Sequence, residues 1–243
     1  MGLMETFKVF INFKTYPQGT GEKAEALVRE IEKVRNGEME KLRNGEIEII
    51  PIVQAVDLFR IRQETKLPVW VQHIDWQGSG KFTGWTNLEA IMEAGGVGTL
   101  LNHSEHPIAP GTIHNMLARV AKLKIQSQVP DGTWQSEKFK VMVCAKTLGQ
   151  VERLVKLKPD YIGYEIAELI GTKTSITATN PKAIEHAVKI CKDIPLIVGA
   201  GVNSAEDLVI AKKLGAKGVL ISSAVVLSEK PGEKLSELIK LIS

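Results

Sequence analysis

The sequence predicts an α/β fold, a (β/α)8 barrel in which eight parallel strands are each followed by a helix. Its 243 residues agree with the roughly 250 residues that are typical of one such barrel. Short apolar runs alternate with segments whose apolar residues recur at helical spacing, and the pattern repeats along the whole chain. A strand-then-helix repeat of this kind indicates a parallel sheet that is buried on both faces and closed on itself. We therefore expect one domain over residues 1–243.

Each predicted element is placed by the spacing of its apolar residues. The strands are expected at Val9–Asn12, Ile47–Val53, Val69–His73, Gly98–Asn102, Phe139–Ala145, Tyr161–Tyr164, Leu196–Gly199 and Gly218–Ile221. The helices that follow them are expected at Glu22–Val34, Ala55–Thr65, Asn87–Ala94, Ile113–Leu123, Leu148–Leu157, Pro181–Cys191, Ala205–Leu214 and Lys234–Ile242. A further segment near Gln126–Lys138 contains Pro130-Asp131-Gly132 and is predicted to be a surface excursion with turn residues.

Composition limits the class of protein. Hydrophobic residues make up 44% of the chain and charged residues 24%, with a net charge of +3, which is ordinary for a globular enzyme. No apolar stretch reaches the roughly 18–20 residues that a membrane span needs, and the N-terminus lacks the pattern of a secretory signal. We therefore expect a cytoplasmic protein that binds neither membranes nor nucleic acid. Cys144 and Cys191 are interpreted as buried thiols in a reducing compartment, not as a disulfide.

Polar side chains follow three of the predicted strands. Lys14 comes after the first strand, His103 after the fourth and Glu165 after the sixth. The carboxyl ends of barrel strands meet at one rim, where the active sites of such barrels lie. A cation, an imidazole and a carboxylate at one rim indicate proton transfer next to a carbonyl group. Lys14 by itself would also fit a solvated lysine at a strand end, but a buried ammonium needs an anionic partner.

His103 has two interpretations. The amides of Ser104 and Glu105 are expected to begin a helical turn, whose positive end favours a neutral imidazole that donates a hydrogen bond to a carbonyl oxygen. The competing interpretation is a metal site made of His103, Glu105 and His106. That set lacks the spacing of the zinc-helix motif and has no thiolate ligand.

Glu165 precedes a short apolar segment that is predicted to be a mobile lid. When such a lid closes, it removes water from around the carboxylate and makes it a stronger base. The lid residues are Ile166, Ala167, Glu168, Leu169, Ile170, Thr172 and Lys173. An N-capping carboxylate is the alternative, and it suits Glu168 better than Glu165.

Phosphate binding is predicted for residues of the lid and of the loops after strands seven and eight: Gly171, Gly199, Gly201, Ser222 and Ser223.

Taken together, these segments resemble the triosephosphate isomerase family, in its shorter archaeal form. The resemblance covers nearly the whole chain and rests on Asn-Phe-Lys at 12–14, Asn-His-Ser-Glu at 102–105, Tyr-Glu at 164–165 followed by Leu-Ile-Gly-Thr, and Gly-Ala-Gly at 199–201. It also takes in Gln72-His73 and Phe82-Thr83-Gly84.

This resemblance implies a TIM barrel that interconverts dihydroxyacetone phosphate and glyceraldehyde 3-phosphate, in glycolysis and gluconeogenesis, without a cofactor or metal. It implies that Glu165 is the base and that neutral His103 polarises the carbonyl and moves protons among the oxygens, a pairing that is the established pattern of this family. Lys14 would offset negative charge, Asn12 would orient the substrate and Glu105 would support the lysine. It also implies a homodimer or homotetramer through the loop around Thr83, Gly84 and Trp85.

The chain departs from the family pattern in the lid, where Ile166 replaces the usual proline and Lys173 replaces a glycine. Two other functions remain open at this point. One is a barrel isomerase that acts on a different, larger phosphorylated sugar. The other is a barrel that has lost catalysis and only binds phosphorylated metabolites, although such a binder has no need for both a base and an electrophile.

Overall fold

A computed structural model describes residues 6–37, 44–126, 139–165 and 176–242. Its eight strands, β1 to β8, form a closed barrel in which each strand lies beside its neighbours in sequence and β8 returns to β1. All of the pairings are parallel. The predicted (β/α)8 barrel is confirmed.

The strands lie where the apolar runs predict them, with small differences at their ends. They are β1 Phe7–Asn12, β2 Ile47–Val53, β3 Trp70–Val71, β4 Gly98–Leu101, β5 Lys140–Ala145, β6 Tyr161–Tyr164, β7 Leu196–Val198 and β8 Gly218–Ile221. β3 is shorter than the predicted Val69–His73 because the chain after Val71 leaves the sheet to form the long loop that carries Trp85.

The helices of the described residues are α1 Glu22–Asn36, α2 Leu58–Glu64, α3 Leu88–Glu93, α4 Pro110–Gln126, α5 Leu148–Val155, α6 Ile176–Thr179, α7 Pro181–Cys191, α8 Ala205–Lys213, α9 Ser223–Val226 and α10 Pro231–Ile239. Two short 3₁₀ turns, Pro17–Gly19 and Ala55–Asp57, precede α1 and α2.

Local chemistry explains where the helices begin. Thr147, Asn180 and Ser204 each cap a helix, with a side-chain oxygen that accepts a hydrogen bond from a first-turn amide. α4 and α10 begin with a proline three residues before the predicted helix starts. Proline suits the first helical position because it lacks the amide hydrogen that would be unpaired there, whereas apolar spacing detects a helix only from its first buried residue.

The inside of the barrel is filled with side chains. Phe10 lies edge-on to Trp70, with ring centroids 5.0 Å apart, and to Tyr161 at 5.8 Å. Gly98 makes this packing possible, because a Cβ atom there would lie 2.2 Å from the Trp70 ring. A filled interior leaves the rims for a binding site.

Several sequence-based expectations concern other parts of the chain. Cys144 and Cys191 are both buried and free, as predicted. Among the described residues, no helix combines the length and apolar character that crossing a membrane requires. The lid residues, Gly171 and residues 127–138 of the predicted excursion lie outside the described ranges.

Candidate active site

The carboxyl ends of the strands surround a cavity of about 300 Å³, a size at the lower end of the range for small-molecule sites. Its lining comes from the segments that follow β1, β4, β6, β7 and β8. The lining residues are Asn12, Lys14, His103, Glu165, Gly199, Gly201, Val202, Asn203, Leu220, Ile221, Ser222, Ser223 and Ala224. The fold therefore brings eight of the predicted site residues into one cavity.

Two side chains hold the backbone of Lys14 in an unusual conformation. Lys14 has φ 48°, in the left-handed region that side-chain-bearing residues seldom adopt. The carboxamide oxygen of Asn12 accepts a hydrogen bond from the Lys14 amide at 3.0 Å, and Gln72 Nε2 donates to the Lys14 carbonyl at 2.8 Å. The lysine is thus aimed into the cavity by its neighbours on β1 and by the segment after β3.

Glu105 is the anionic partner that a largely buried Lys14 needs. Lys14 Nζ lies 2.5 Å from Glu105 Oε1, with the lysine side chain 12% exposed and the glutamate 54% exposed. Glu105 pairs with the lysine from the rim and is not part of the cavity lining. Because the Glu105 carboxylate is half in solvent, the pair can open without leaving the glutamate as a buried charge.

His103 reaches across the cavity to Glu165. The His103 ring is buried, and its Nε2 lies 3.1 Å from Glu165 Oε1. On the other side of the ring, the amide of Glu105 donates to Nδ1 at 3.2 Å. An Nδ1 atom that accepts a hydrogen bond carries no proton, so the neutral ring bears its proton on Nε2, facing the cavity.

The protonation of His103 depends on opposing influences. Burial lowers the pKa of His103, but the hydrogen bond that the ring donates to Glu165 and then the charge of Glu165 raise it, with a smaller contribution from Glu105, and the net pKa lies above its ordinary value. Lys14 acts in the opposite direction. Glu165 therefore favours protonation of the ring at mildly acidic pH, whereas the Glu105 amide selects the tautomer of the neutral form.

Glu165 is the most deeply buried acidic residue of the site, at 2% exposure. Its Oε2 atom has no hydrogen-bond partner, which is costly for a buried carboxylate oxygen unless a substrate uses it. Gly199 leaves room for this side chain, because a Cβ atom there would lie 3.1 Å from Glu165 Cγ. The Cys144 thiol lies near Glu165: burial raises the pKa of Cys144 well above its ordinary value, and the nearby Glu165 carboxylate raises it further.

The loops after β7 and β8 form the part of the cavity for which phosphate binding is predicted. Gly201 and Ser223 line the cavity, and Gly201 has φ 65°, a backbone conformation that suits glycine. Ser222 Oγ donates to the Asn12 carbonyl at 2.7 Å, so that hydroxyl ties β8 to β1. The Gly199 amide donates to the Tyr164 carbonyl at 3.0 Å, so Gly199 faces the cavity without offering that amide to a ligand.

The alternative metal interpretation finds no geometric support. His103 faces Glu165, whereas the His106 ring lies against His73, with centroids 4.5 Å apart. Across the part of the chain that the structure describes, no three His, Cys, Asp or Glu side chains are grouped so that they could hold a metal ion.

Three residues with no role predicted from the sequence support the site from the segments after β3 and β4 and from β5: Gln72, Asn102 and Cys144. Gln72 was noted only as part of a family motif, and nothing local reveals that its amide reaches Lys14. Asn102 has φ 59°, and an asparagine directly after a strand is a signal that could have marked it. Cys144 lies in an apolar strand, and its position near Glu165 depends on strand register alone.

Known proteins resemble this chain over nearly its full length. The sequence model of a family described as triosephosphate isomerase matches residues 7–242. Triosephosphate isomerase of Methanosarcina acetivorans is 32% identical over 238 residues, which cover 96% of this chain and 98% of the relative. The Saccharolobus solfataricus enzyme of the same name is 34% identical, covering 95% and 94%, and that of Methanocaldococcus jannaschii is 33% identical, covering 96% and 99%. The chain therefore belongs to the triosephosphate isomerase family.

Proposed function

We propose a role for each residue of this cavity in the reaction of the family. Family membership gives that reaction: the interconversion of dihydroxyacetone phosphate and D-glyceraldehyde 3-phosphate, in which a proton moves between adjacent carbons through an enediolate. The proposal rests above all on the 3.1 Å approach of His103 Nε2 to Glu165 Oε1 in a cavity that also contains Lys14. Because a base and a hydrogen-bond donor face the same space, both can contact one small substrate.

In this proposal Glu165 removes the proton from the carbon next to the carbonyl group. His103 donates from Nε2 to the carbonyl oxygen, which becomes an enediolate oxygen as the proton leaves. His103 gives its Nε2 proton to the enediolate oxygen and takes the proton of the neighbouring hydroxyl group, so that the ring is again neutral and a new carbonyl group can form there. The proton on Glu165 returns to the carbon that carried the original carbonyl group. The substrate takes the place of the direct contact between His103 and Glu165, and the unpaired Oε2 supplies an acceptor that needs no prior bond to be broken.

Lys14 is proposed to offset the negative charge of the phosphate and of the enediolate, and Asn12 to fix the turn that presents it. Glu105 holds Lys14 when no substrate is bound. Gly201, Ser222 and Ser223 are proposed to face the phosphate, since they line the same cavity. Gly199 contributes the space that Glu165 occupies.

A coupled assay of the purified protein tests the function directly. With glyceraldehyde 3-phosphate as the substrate, we expect dihydroxyacetone phosphate to form, and EDTA in the buffer to leave the rate unchanged. A protein that is inactive on this triose but converts a larger phosphorylated sugar would support the first alternative function. Binding of phosphorylated compounds with no turnover of either would support the second.

We further propose that the chain forms a homodimer or homotetramer through the loop after β3. Thr83, Gly84 and Trp85 are exposed, and Trp85 is a large apolar side chain with 52% of its surface in solvent. Asp75 and Thr86 close this loop at its base, through Asp75 N to Thr86 O at 2.9 Å and Thr86 N to Asp75 Oδ2 at 2.7 Å. A preformed loop that carries an aromatic anchor is a common basis for an interface.

Light scattering at micromolar concentration should therefore give at least twice the chain mass of 26.7 kDa. Trp85→Lys should shift the mass toward one chain. Leu241→Lys is the matched control, because Leu241 is 45% exposed and lies after α10, and it should leave the mass unchanged. A fully active monomer would contradict the proposal. A cytoplasmic location stays a prediction from the sequence.

A further inference from the structure

We propose that Asn102 is a positioning residue that fixes His103 relative to Glu165, both through its backbone and through its side-chain amide. The inference rests on the proposed role of His103 in catalysis. Asn102 has φ 59° and connects β4 to His103. This left-handed conformation turns the chain at the end of the strand, and asparagine tolerates it better than most residues with a side chain. The turn directs the next residue, His103, into the cavity.

The side-chain amide of Asn102 ties both ends of the loop that carries His103. Its oxygen accepts a hydrogen bond from the Ile108 amide at 2.9 Å, which closes residues 103–107 into a loop. Its nitrogen donates to the Cys144 carbonyl at 2.8 Å, which fastens that loop to β5. One planar group thus joins three segments, and neither bond can be kept if the amide rotates by half a turn.

The Cys144 anchor lies close to the base. Cys144 pairs with Gly163 in the register of β5 with β6, and the amide of Glu165 donates to the Ala145 carbonyl at 2.9 Å. Asn102 therefore attaches the loop that carries His103 to the end of β5, the same stretch of backbone to which Glu165 is hydrogen-bonded. The 3.1 Å separation between His103 Nε2 and Glu165 Oε1 depends on this shared attachment to β5.

A residue that only completed a turn would behave differently from a positioning residue. Glycine satisfies the left-handed backbone at least as well as asparagine, so a pure turn residue could be replaced by glycine without any effect on catalysis. If the amide positions His103, Asn102→Gly should lower kcat by about tenfold, the effect that losing two neutral hydrogen bonds implies. KM should change by less than about twofold, because the substitution leaves the residues that face the phosphate in place.

The experiment compares Asn102→Gly, Asn102→Asp and the control Lys192→Gly. Lys192 has φ 51° at the end of α7, so its replacement makes the same backbone change far from the proposed chemistry and should leave kcat unchanged. Asn102→Asp keeps an acceptor for the Ile108 amide but loses the donor to Cys144. It should therefore also lower kcat, and it serves as the second variant if the glycine variant does not fold.

Nitrogen NMR of the histidine rings in the unliganded protein gives a readout that is independent of activity. The parent should show His103 as one neutral tautomer with the proton on Nε2, and Asn102→Gly should show a mixture of tautomers, because the contact between the Glu105 amide and Nδ1 is loosened. Parent-like kcat and a parent-like His103 spectrum in both Asn102 variants would overturn the proposal. If the parent protein lacked isomerase activity, the proposed function would fail, but the spectrum would still test whether Asn102 positions the ring.

Discussion

The two ends of the barrel are built from the same strands, yet they hold their charged side chains in different ways. At the amino end, Lys8 pairs with Glu48 across β1 and β2. Asp160 accepts hydrogen bonds there from Lys140 Nζ at 3.0 Å and from the Val141 amide at 2.9 Å. These carboxylates are partnered, and solvent reaches part of each. Pairs of this kind contribute modestly to stability.

At the carboxyl end, the same strands lead into a site where a buried carboxylate lacks a hydrogen-bond partner for one of its oxygens. Glu165 is buried with one oxygen unpaired, and a buried polar atom without a partner costs stability. The amino-end carboxylates of Glu48 and Asp160, by contrast, have partners. We expect a bound substrate to supply the contact that Glu165 Oε2 lacks.

The largest expected effect comes from the buried base. Glu165→Gln should lower kcat by roughly 10²–10⁴-fold, the usual contribution of general acid–base catalysis, while a substrate analogue still binds. The free energy of unfolding should stay the same or increase, because a buried carboxylate with one unpartnered oxygen is replaced by a neutral amide. Activity assays, analogue titration and denaturant unfolding measure the three quantities. Retention of more than about a tenth of the activity, a loss below ~1.4 kcal/mol, would contradict the assignment.

The second test compares one lysine from each end. Lys14→Met should lower kcat/KM by about tenfold to a hundredfold, since charge-assisted hydrogen bonds contribute about 1.5–3 kcal/mol, and it should weaken binding of a phosphate analogue. Lys8→Met removes a lysine that also pairs with a glutamate, but at the amino end, and should leave both quantities unchanged. Equal losses in the two variants would mean that the ends do not differ as described.

The third test uses pH. If His103 must be neutral to donate from Nε2, kcat/KM should fall as the pH drops through a pKa that lies above the ordinary 6.5, since Glu165 raises the pKa of His103. Replacing Glu165 by Gln removes the charge and leaves only a neutral, weaker amide acceptor, so the pKa of His103 should move down. An NMR titration of the two proteins measures this shift. An upward or absent shift would show that Glu165 does not control the ring.

The smallest effect is expected at the amino end. Asp160→Asn keeps an acceptor for the Val141 amide but removes the charge that faces Lys140. Because the Lys140 side chain is 43% exposed, we expect the free energy of unfolding to fall by about 1 kcal/mol or less, with unchanged kcat and KM. Urea unfolding and steady-state kinetics provide the measurements. A clear loss of kcat would show that the amino end also serves catalysis.

The sequence by itself determined the alternation of strands and helices, because apolar periodicity is a local property that burial on both faces of a parallel sheet enforces. It also determined that Asn12, Lys14, His103 and Glu165 lie at one rim, since each ends or follows a strand and all parallel strands end on the same side. Glu105 could be linked to Lys14 only through a family resemblance, because the two residues are 91 positions apart.

Only the tertiary structure decided how those side chains are held. Gln72 reaches Lys14 across 58 positions, Asn102 reaches Cys144 across 42 positions, and Gly199 makes room for Glu165. No periodicity encodes such contacts, because they depend on barrel closure and on the register between neighbouring strands. The residues at the strand ends therefore provide the candidate catalytic groups. Closure of the barrel sets the distance between His103 and Glu165 and the tautomer of the His103 ring.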